Sequence, residues 1–376
     1  ANWGAESKSN GNSSSSLLSL LEKTVESQMI SDVPLGAFLS GGIDSSTIVG
    51  LMSRIGKKEG GGKNRKPVET FTVGFGEQSD ELKYARIVSE HFGTNHHEII
   101  VSPEEVPKLV DKLVWHYDDL NWDSASLPVY MVSTLARKYV KVVLTGEGSD
   151  ELFAGYERYK PFSPAIPLVP NSVRWNIYGR FITMFDAKTR RRVGGSAYGA
   201  DGLNGSYAEL VLASYKNARG NPALKNVMDF EFNELLPNQL LNKADKAIMA
   251  ASVEGRVPFL DNSVIAFANS VPLGQKLHGL EGKHILRKAV KDLVPDVTKA
   301  RMKKGFGAKP IFWFRDEGMR EFAEGYFDDA HLRQEGLDFS GYKEMLANVG
   351  KPKKAYQLWA MLLLEIWYRK FFEESK

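Results

Sequence analysis

Short apolar runs at 35–39, 70–75, 97–101 and 140–144 alternate with segments of helical spacing at 45–54, 80–92, 104–116 and 127–139. Strands separated by helices do not pair as hairpins, so the alternation predicts an α/β fold, a parallel sheet with helices on both faces. In open sheets of this kind ligands sit beyond the carboxyl ends of the strands. The two most informative strings of the chain fall at that edge. Ahead of the first run, Leu17, Leu18, Leu21, Val25 and Met29 keep helix-compatible spacing. Residues 231–376 read as a mostly helical C-terminal part that ends in the amphipathic stretch 355–372.

Composition narrows the function classes. No apolar run reaches the roughly 18–20 residues of a membrane span, so no membrane partner is expected. A net charge of +3 is too small to argue for nucleic acid. The absence of cysteine excludes a disulfide framework, a thiolate metal site and a cysteine nucleophile, and it fits the cytoplasm, the expected compartment. No charged-then-apolar leader is recognisable at the start. Residues 1–16, rich in Ser, Gly and Asn, read as a flexible linker ahead of a domain at 17–376. Within that domain, 157–230 stands out as a variable basic insertion, with 11 Lys and Arg against 5 Asp and Glu. Its run Arg190–Arg192 reads as a solvated loop, with contact to a partner protein or an anionic substrate as the alternative.

The string Ser40-Gly41-Gly42-Ile43-Asp44-Ser45-Ser46 follows the first strand and opens a helix. Gly41 and Gly42 permit a tight turn and close approach to a ligand. Main-chain N–H groups and the Ser40, Ser45 and Ser46 hydroxyls then converge at a helix N-terminus, which makes an anion site. The lysine of a Walker loop is missing, so this is not the phosphate loop of kinases and GTPases. Asp44 would repel a bare phosphate and so implies a bridging Mg²⁺. The second string, Thr145-Gly146-Glu147-Gly148-Ser149-Asp150-Glu151, follows the fourth strand and crowds three acids together. Carboxylates placed this closely need a cation between them, and Asp150 is the second candidate metal ligand.

The first string resembles the pyrophosphate loop of the ATP pyrophosphatase superfamily, whose members cleave ATP between its α- and β-phosphates. The second, continued by Leu152-Phe153-Ala154-Gly155-Tyr156, is similar to the matching segment of asparagine synthetases. So are Leu236-Pro237 with Lys243, Asp245 and Lys246; Ser252-Val253-Glu254-Gly255-Arg256-Val257-Pro258-Phe259-Leu260-Asp261; Lys283-His284-Ile285-Leu286-Arg287; and Arg301-Met302-Lys303-Lys304-Gly305-Phe306. The likeness covers nearly the whole chain outside 157–230. It implies an adenine nucleotide α-hydrolase-like fold and a ligase using ATP and Mg²⁺ that adenylates a carboxylate and passes the acyl group to ammonia. By that resemblance Ser40, Gly41, Gly42, Ser45, Ser46 and Gly146 hold the pyrophosphate, Asp44 and Asp150 bind Mg²⁺, and Leu39, Val73 and Gly74 hold the adenine. Glu147 is the implied general base and Lys303 the cation at the α-phosphate, a position where a fixed charge stabilises the transition state. Arg256 and Asp261 read as scaffold at the sheet's edge.

The chain departs from the family pattern in two places. Glutamine-dependent asparagine synthetases carry an N-terminal domain with a first-position Cys nucleophile, which this sequence does not contain. Its nitrogen source is therefore expected to be free ammonia or a separate glutaminase subunit or domain; a homo-oligomer is left open. In the stretch Asp118–Tyr130, some asparagine synthetases place an Arg where this chain has Ser124. Asp123 and Ser124 are the candidate substrate contacts there. Aspartate is the favoured carboxylate. The alternatives are the same chemistry on another acid, intramolecular cyclisation included, or a non-catalytic nucleotide-binding partner of a glutaminase.

Overall fold

Five parallel strands form the central sheet of the protein, seen in a computed structural model that describes residues 13–59, 66–75, 80–194, 213, 215–216, 222–301 and 309–373. They are β1 (Leu35–Phe38), β2 (Glu69–Gly74), β3 (Asn95–Ile100), β4 (Val142–Leu144) and β5 (Glu254–Arg256), in the order β3-β2-β1-β4-β5. From β1 the chain builds outward to β2 and β3, then returns to the other flank of β1 for β4 and β5. The order reverses between β1 and β4, where Leu35, Gly36 and Ala37 pair with Val142, Val143 and Leu144. At such a reversal ligands bind in the crevice beyond the carboxyl ends of the neighbouring strands.

Side-chain alternation gives the sheet two cores. Phe71, Val73 and Val143 face a cluster with α4 (Val106–Tyr117), α5 (Ser126–Ala136) and the C-terminal helix Pro352–Tyr368. Ala37, Val142 and Leu144 face the other cluster, with α1 (Ser13–Gln28), α2 (Ile43–Glu59) and the helix His284–Ala289. β2 and β4 are buried on both sides and β1 nearly so, which is why their runs read as continuously apolar, whereas the edge strands β3 and β5 are only partly covered. In α1, Leu17, Leu21 and Val25 repeat every four residues and are fully buried. Residues 13–16, expected within the flexible linker, form the first turn of α1; residues 1–12 lie outside the described residues. No helix among the described residues is long and apolar enough to cross a membrane.

The described parts of 157–230 pack a small aromatic core of their own, with Phe162, Trp175, Tyr178 and Phe230 in edge-to-face contacts and Tyr159 buried in the same cluster. Beneath it lies Glu231, fully buried, which accepts two bonds of 2.5 Å from the Arg158 guanidinium and one each from the hydroxyls of Tyr159 (2.9 Å) and Tyr178 (2.8 Å). Arg190–Arg192, read as a loop, belongs instead to the helix Ala187–Gly194, where Arg192 pairs with Glu344 at 2.7 Å. At the opposite sheet edge Arg256 sits on β5 and donates to the carbonyls of Gln28 and Ile30, closing the end of α1. Asp261 caps the helix Asn262–Ser270.

Candidate active site

Because β1 and β4 are hydrogen-bonded neighbours, the loops that leave their carboxyl ends lie side by side. They wall a cavity of about 560 Å³. Gly41 makes the first loop's turn: its φ is +69°, and a Cβ there would lie 2.5 Å from the backbone of Tyr84 on α3 (Asp80–Phe92). The Ser40 and Ser45 hydroxyls are 3.1 Å apart, and Ser45 Oγ also meets the Ser40 N–H and the Gly42 carbonyl. Arg301, stacked over Tyr84, donates to the Ser40 carbonyl at 2.5 Å and fixes the loop from outside. From the second loop, Gly146 abuts Asp44 so closely that a Cβ would approach the Asp44 Cβ to 2.8 Å.

The two strings meet through a third group. Lys283 Nζ lies 2.6 Å from Asp44 Oδ2 and 2.7 Å from Asp150 Oδ1, while Asp44 Oδ1 accepts from Ser149 Oγ at 2.7 Å. Asp44 and Asp150 therefore converge on one point. Next to Asp150, Glu151 is buried and bonded to the Tyr156 hydroxyl at 2.6 Å; burial and the neighbouring Asp150 charge push its pKa up to about 7.

Apolar side chains of Phe38, Leu39, Val73, Ala125, Val129 and Val132 line the cavity together with the polar groups of Glu147, Asp123, Lys243, Arg158 and Lys160. Asp123 is held by turn geometry, its Oδ1 accepting from the Ala125 N–H at 2.9 Å, and its Oδ2 lies 3.2 Å from Lys243 Nζ. Burial by itself would lower the pKa of the Lys243 ammonium, but the Asp123 and Glu147 carboxylates outweigh that and hold it above the ordinary lysine value. Thr145 Oγ1 is buried at the cavity wall with no hydrogen-bond partner among the described residues.

Of the residues expected from sequence, Leu39, Ser40, Gly42, Asp44, Ser45, Val73, Gly146, Glu147, Asp150 and Asp123 line this cavity. Gly41, Ser46, Gly74 and Ser124 do not. Gly41 is spent on the turn against α3, and Gly74 packs on Leu82. Ser46 is fully buried on the second turn side of the loop, and Ser124 is buried with its hydroxyl on Tyr356. Lys303 lies outside the described residues. Sequence reasoning quoted Lys243 and Lys283 without giving them a task and did not single out Arg158; none carries a local signal, since each acts on a partner more than 70 residues away.

Comparison with known proteins places the chain in a family. The family model described as asparagine synthase matches residues 16–369. A putative glutamine-hydrolyzing asparagine synthetase of Mycobacterium tuberculosis is 30% identical over 96% of this chain and 58% of its own length. The glutamine-hydrolyzing asparagine synthetase B of Escherichia coli is 28% identical over 98% of this chain and 54% of its own. An amidase, chyE, of Penicillium rubens is 28% identical over 78% of this chain and 52% of its own. The chain thus spans a little over half the length of the relatives it matches.

Proposed function

The chain belongs to the asparagine synthase family, and on that premise we propose that it is an ATP-dependent ligase that converts a carboxylate, aspartate being favoured, into its amide. The observation that carries this reading is the convergence of Asp44 and Asp150 at the sheet's reversal point, in a cavity lined by both apolar and polar side chains. A nucleotide laid across the cavity has its base at Leu39 and Val73, beside Gly74, and its phosphates on the loop of Ser40–Ser46. The carboxylate attacks the α-phosphorus, the bond to the β-phosphate oxygen breaks, and acyl-adenylate and pyrophosphate result. Ammonia then attacks the acyl carbon, Glu147 takes the proton that the new nitrogen must shed, and AMP departs with the electron pair of the acyl–oxygen bond. Lys303 is assigned to the charge that builds on the α-phosphate.

The donor set fits Mg²⁺. Two hard carboxylate oxygens directed at one point, with the rest of the shell left to phosphate and water, is how this ion is held beside nucleotides. Among the described residues no group of three or more His, Asp or Glu side chains is placed to cage a metal alone. When bound by Asp44 and Asp150, the ion neutralises charge on the departing pyrophosphate.

Asp123 and Lys243 support an amino-acid substrate. Side by side in the cavity lining, they offer an anion to an α-ammonium and a cation to an α-carboxylate, near Glu147. Free ammonia, or ammonia from a separate glutaminase subunit or domain, is the proposed nitrogen source, and the cytoplasm the proposed compartment. ATP–pyrophosphate exchange measured across a series of acids tests the reading. Exchange with aspartate alone is expected; exchange with a different acid reassigns the substrate, and none with any acid refutes the ligase. Glu147→Gln is expected to keep exchange and lose amide, and Lys243→Met to raise the KM for aspartate; amide formation surviving in Glu147→Gln would remove Glu147 as the base.

A further inference from the structure

Lys283 occupies the point on which both candidate metal ligands converge, and we propose that it is an internal counter-cation that keeps the Asp44–Asp150 cradle closed to free divalent ions, so that metal enters only together with nucleotide. The inference rests on the nucleotide reading above and goes beyond it to the order of addition.

The placement is built rather than incidental. Lys283 is a non-glycine residue at φ +56°, a left-handed conformation that side chains avoid unless the surroundings impose it. Its N–H donates to the Phe153 carbonyl at 2.9 Å, which ties this backbone to the helix carrying Asp150. Gly155 leaves the passage: a Cβ there would lie 2.1 Å from both Lys283 Cε and Asp150 Oδ1. The side chain is 3% exposed, yet Lys283 is among the residues that line the cavity, where a polyphosphate would bind.

The charge arrangement sets the order. With one ammonium bonded to both carboxylates, a divalent ion approaching alone must displace a buried cation from the two carboxylates it pairs with and leave it in need of another anion. A triphosphate arriving with its metal brings that anion. The ammonium passes to phosphate oxygens as the carboxylates are released to the metal, and each charge keeps a partner throughout. Arg287, Lys299 and Arg301 also line the cavity and offer further cations to an anionic complex.

The test is Mn²⁺ binding followed by electron paramagnetic resonance on the whole chain, with and without a non-hydrolysable ATP analogue. Wild type alone should leave Mn²⁺ free, and the analogue should raise its affinity by roughly 10- to 100-fold. Lys283→Met should gain a nucleotide-independent Mn²⁺ site by about the same factor and lose it again when Asp150→Asn is added. Wild type that binds Mn²⁺ alone as tightly as Lys283→Met, at a site abolished by Asp150→Asn, overturns the proposal. Should Lys283→Met not fold, the ¹⁵N resonance of the Lys283 ammonium in wild type decides: Mg²⁺ alone must leave it unmoved and Mg²⁺ with analogue must shift it. A shift with Mg²⁺ alone overturns the proposal. Calorimetry of the analogue on wild type separates the two ideas, since failure to bind nucleotide defeats the functional reading whatever the metal does.

Discussion

Glu231 is the buried charge on which the basic segment is anchored, and replacing it with Gln tests that anchoring quantitatively. The carboxylate is fully buried and accepts four hydrogen bonds, two from Arg158 and one each from Tyr159 and Tyr178. Gln keeps the shape but has one acceptor oxygen, so its NH₂ faces at least one donor, and the partly buried Arg158 guanidinium loses its counter-charge. Breaking a buried pair from one side costs about 3–5 kcal/mol, against a total stability on the order of 5–15 kcal/mol for a folded domain. The free guanidinium lies on the cavity wall over the Tyr156 ring, so the loss should reach the site as well. Urea unfolding at neutral pH reads the stability, and exchange kinetics on the folded fraction read the site. The paired change Arg158→Met with Glu231→Leu should recover most of the loss, because it removes both charges together. A Glu231→Gln protein within about 1 kcal/mol of wild type, below the cost of one unsatisfied buried group, would refute the anchoring.

Three further outcomes are expected. Gly146→Ala drives a methyl into Asp44 and the Ser45 N–H, at 2.8 and 3.1 Å, so overpacking should cost about 1–3 kcal/mol and pyrophosphate exchange should fall more steeply than thermal stability does. Lys276 is buried, and burial brings its pKa down from the ordinary lysine value to about 8. The unfolded chain then binds more protons than the native one between about pH 8 and 10.5, so this group's penalty is full below pH 8 and fades as pH rises through that window. Lys276→Met should accordingly stabilise the protein at pH 7 by a few kcal/mol, about 3 on the shift, and flatten the alkaline rise in thermal midpoint. Arg256→Ala removes the donor to the Gln28 and Ile30 carbonyls, which are open enough to turn to water, and should cost about 0.5–1.5 kcal/mol by urea titration, with exchange kinetics unchanged.

Local chemistry made much of this protein legible as a string. Strand and helix periods are set by backbone geometry, so the apolar runs at 35–39 and 140–144 and the four-residue rhythm of Leu17, Leu21 and Val25 marked their elements without reference to anything distant. A turn that must bring N–H groups to an anion needs Gly beside hydroxyls, which is why Ser40–Ser46 announced its chemistry. β5 escaped notice because Glu254-Gly255-Arg256 has no strand character of its own; it is extended only because β4 offers it a partner. The loop reading of Arg190–Arg192 failed for a related reason, since packing against the C-terminal part decides that helix. Sequence also assigned hydroxyls by type, and only the fold separates Ser45, which faces the cavity, from Ser46, which is turned inward one residue later. Charge pairing lay furthest from view. Asp44 with Lys283, Asp123 with Lys243 and Arg158 with Glu231 join residues 239, 120 and 73 positions apart, and an ion pair leaves no periodic trace in a sequence. What the chain determined by itself was which groups would do chemistry; which cation stands between which anions was decided by the strand order, because only the sheet's reversal brings the loops after β1 and β4 together.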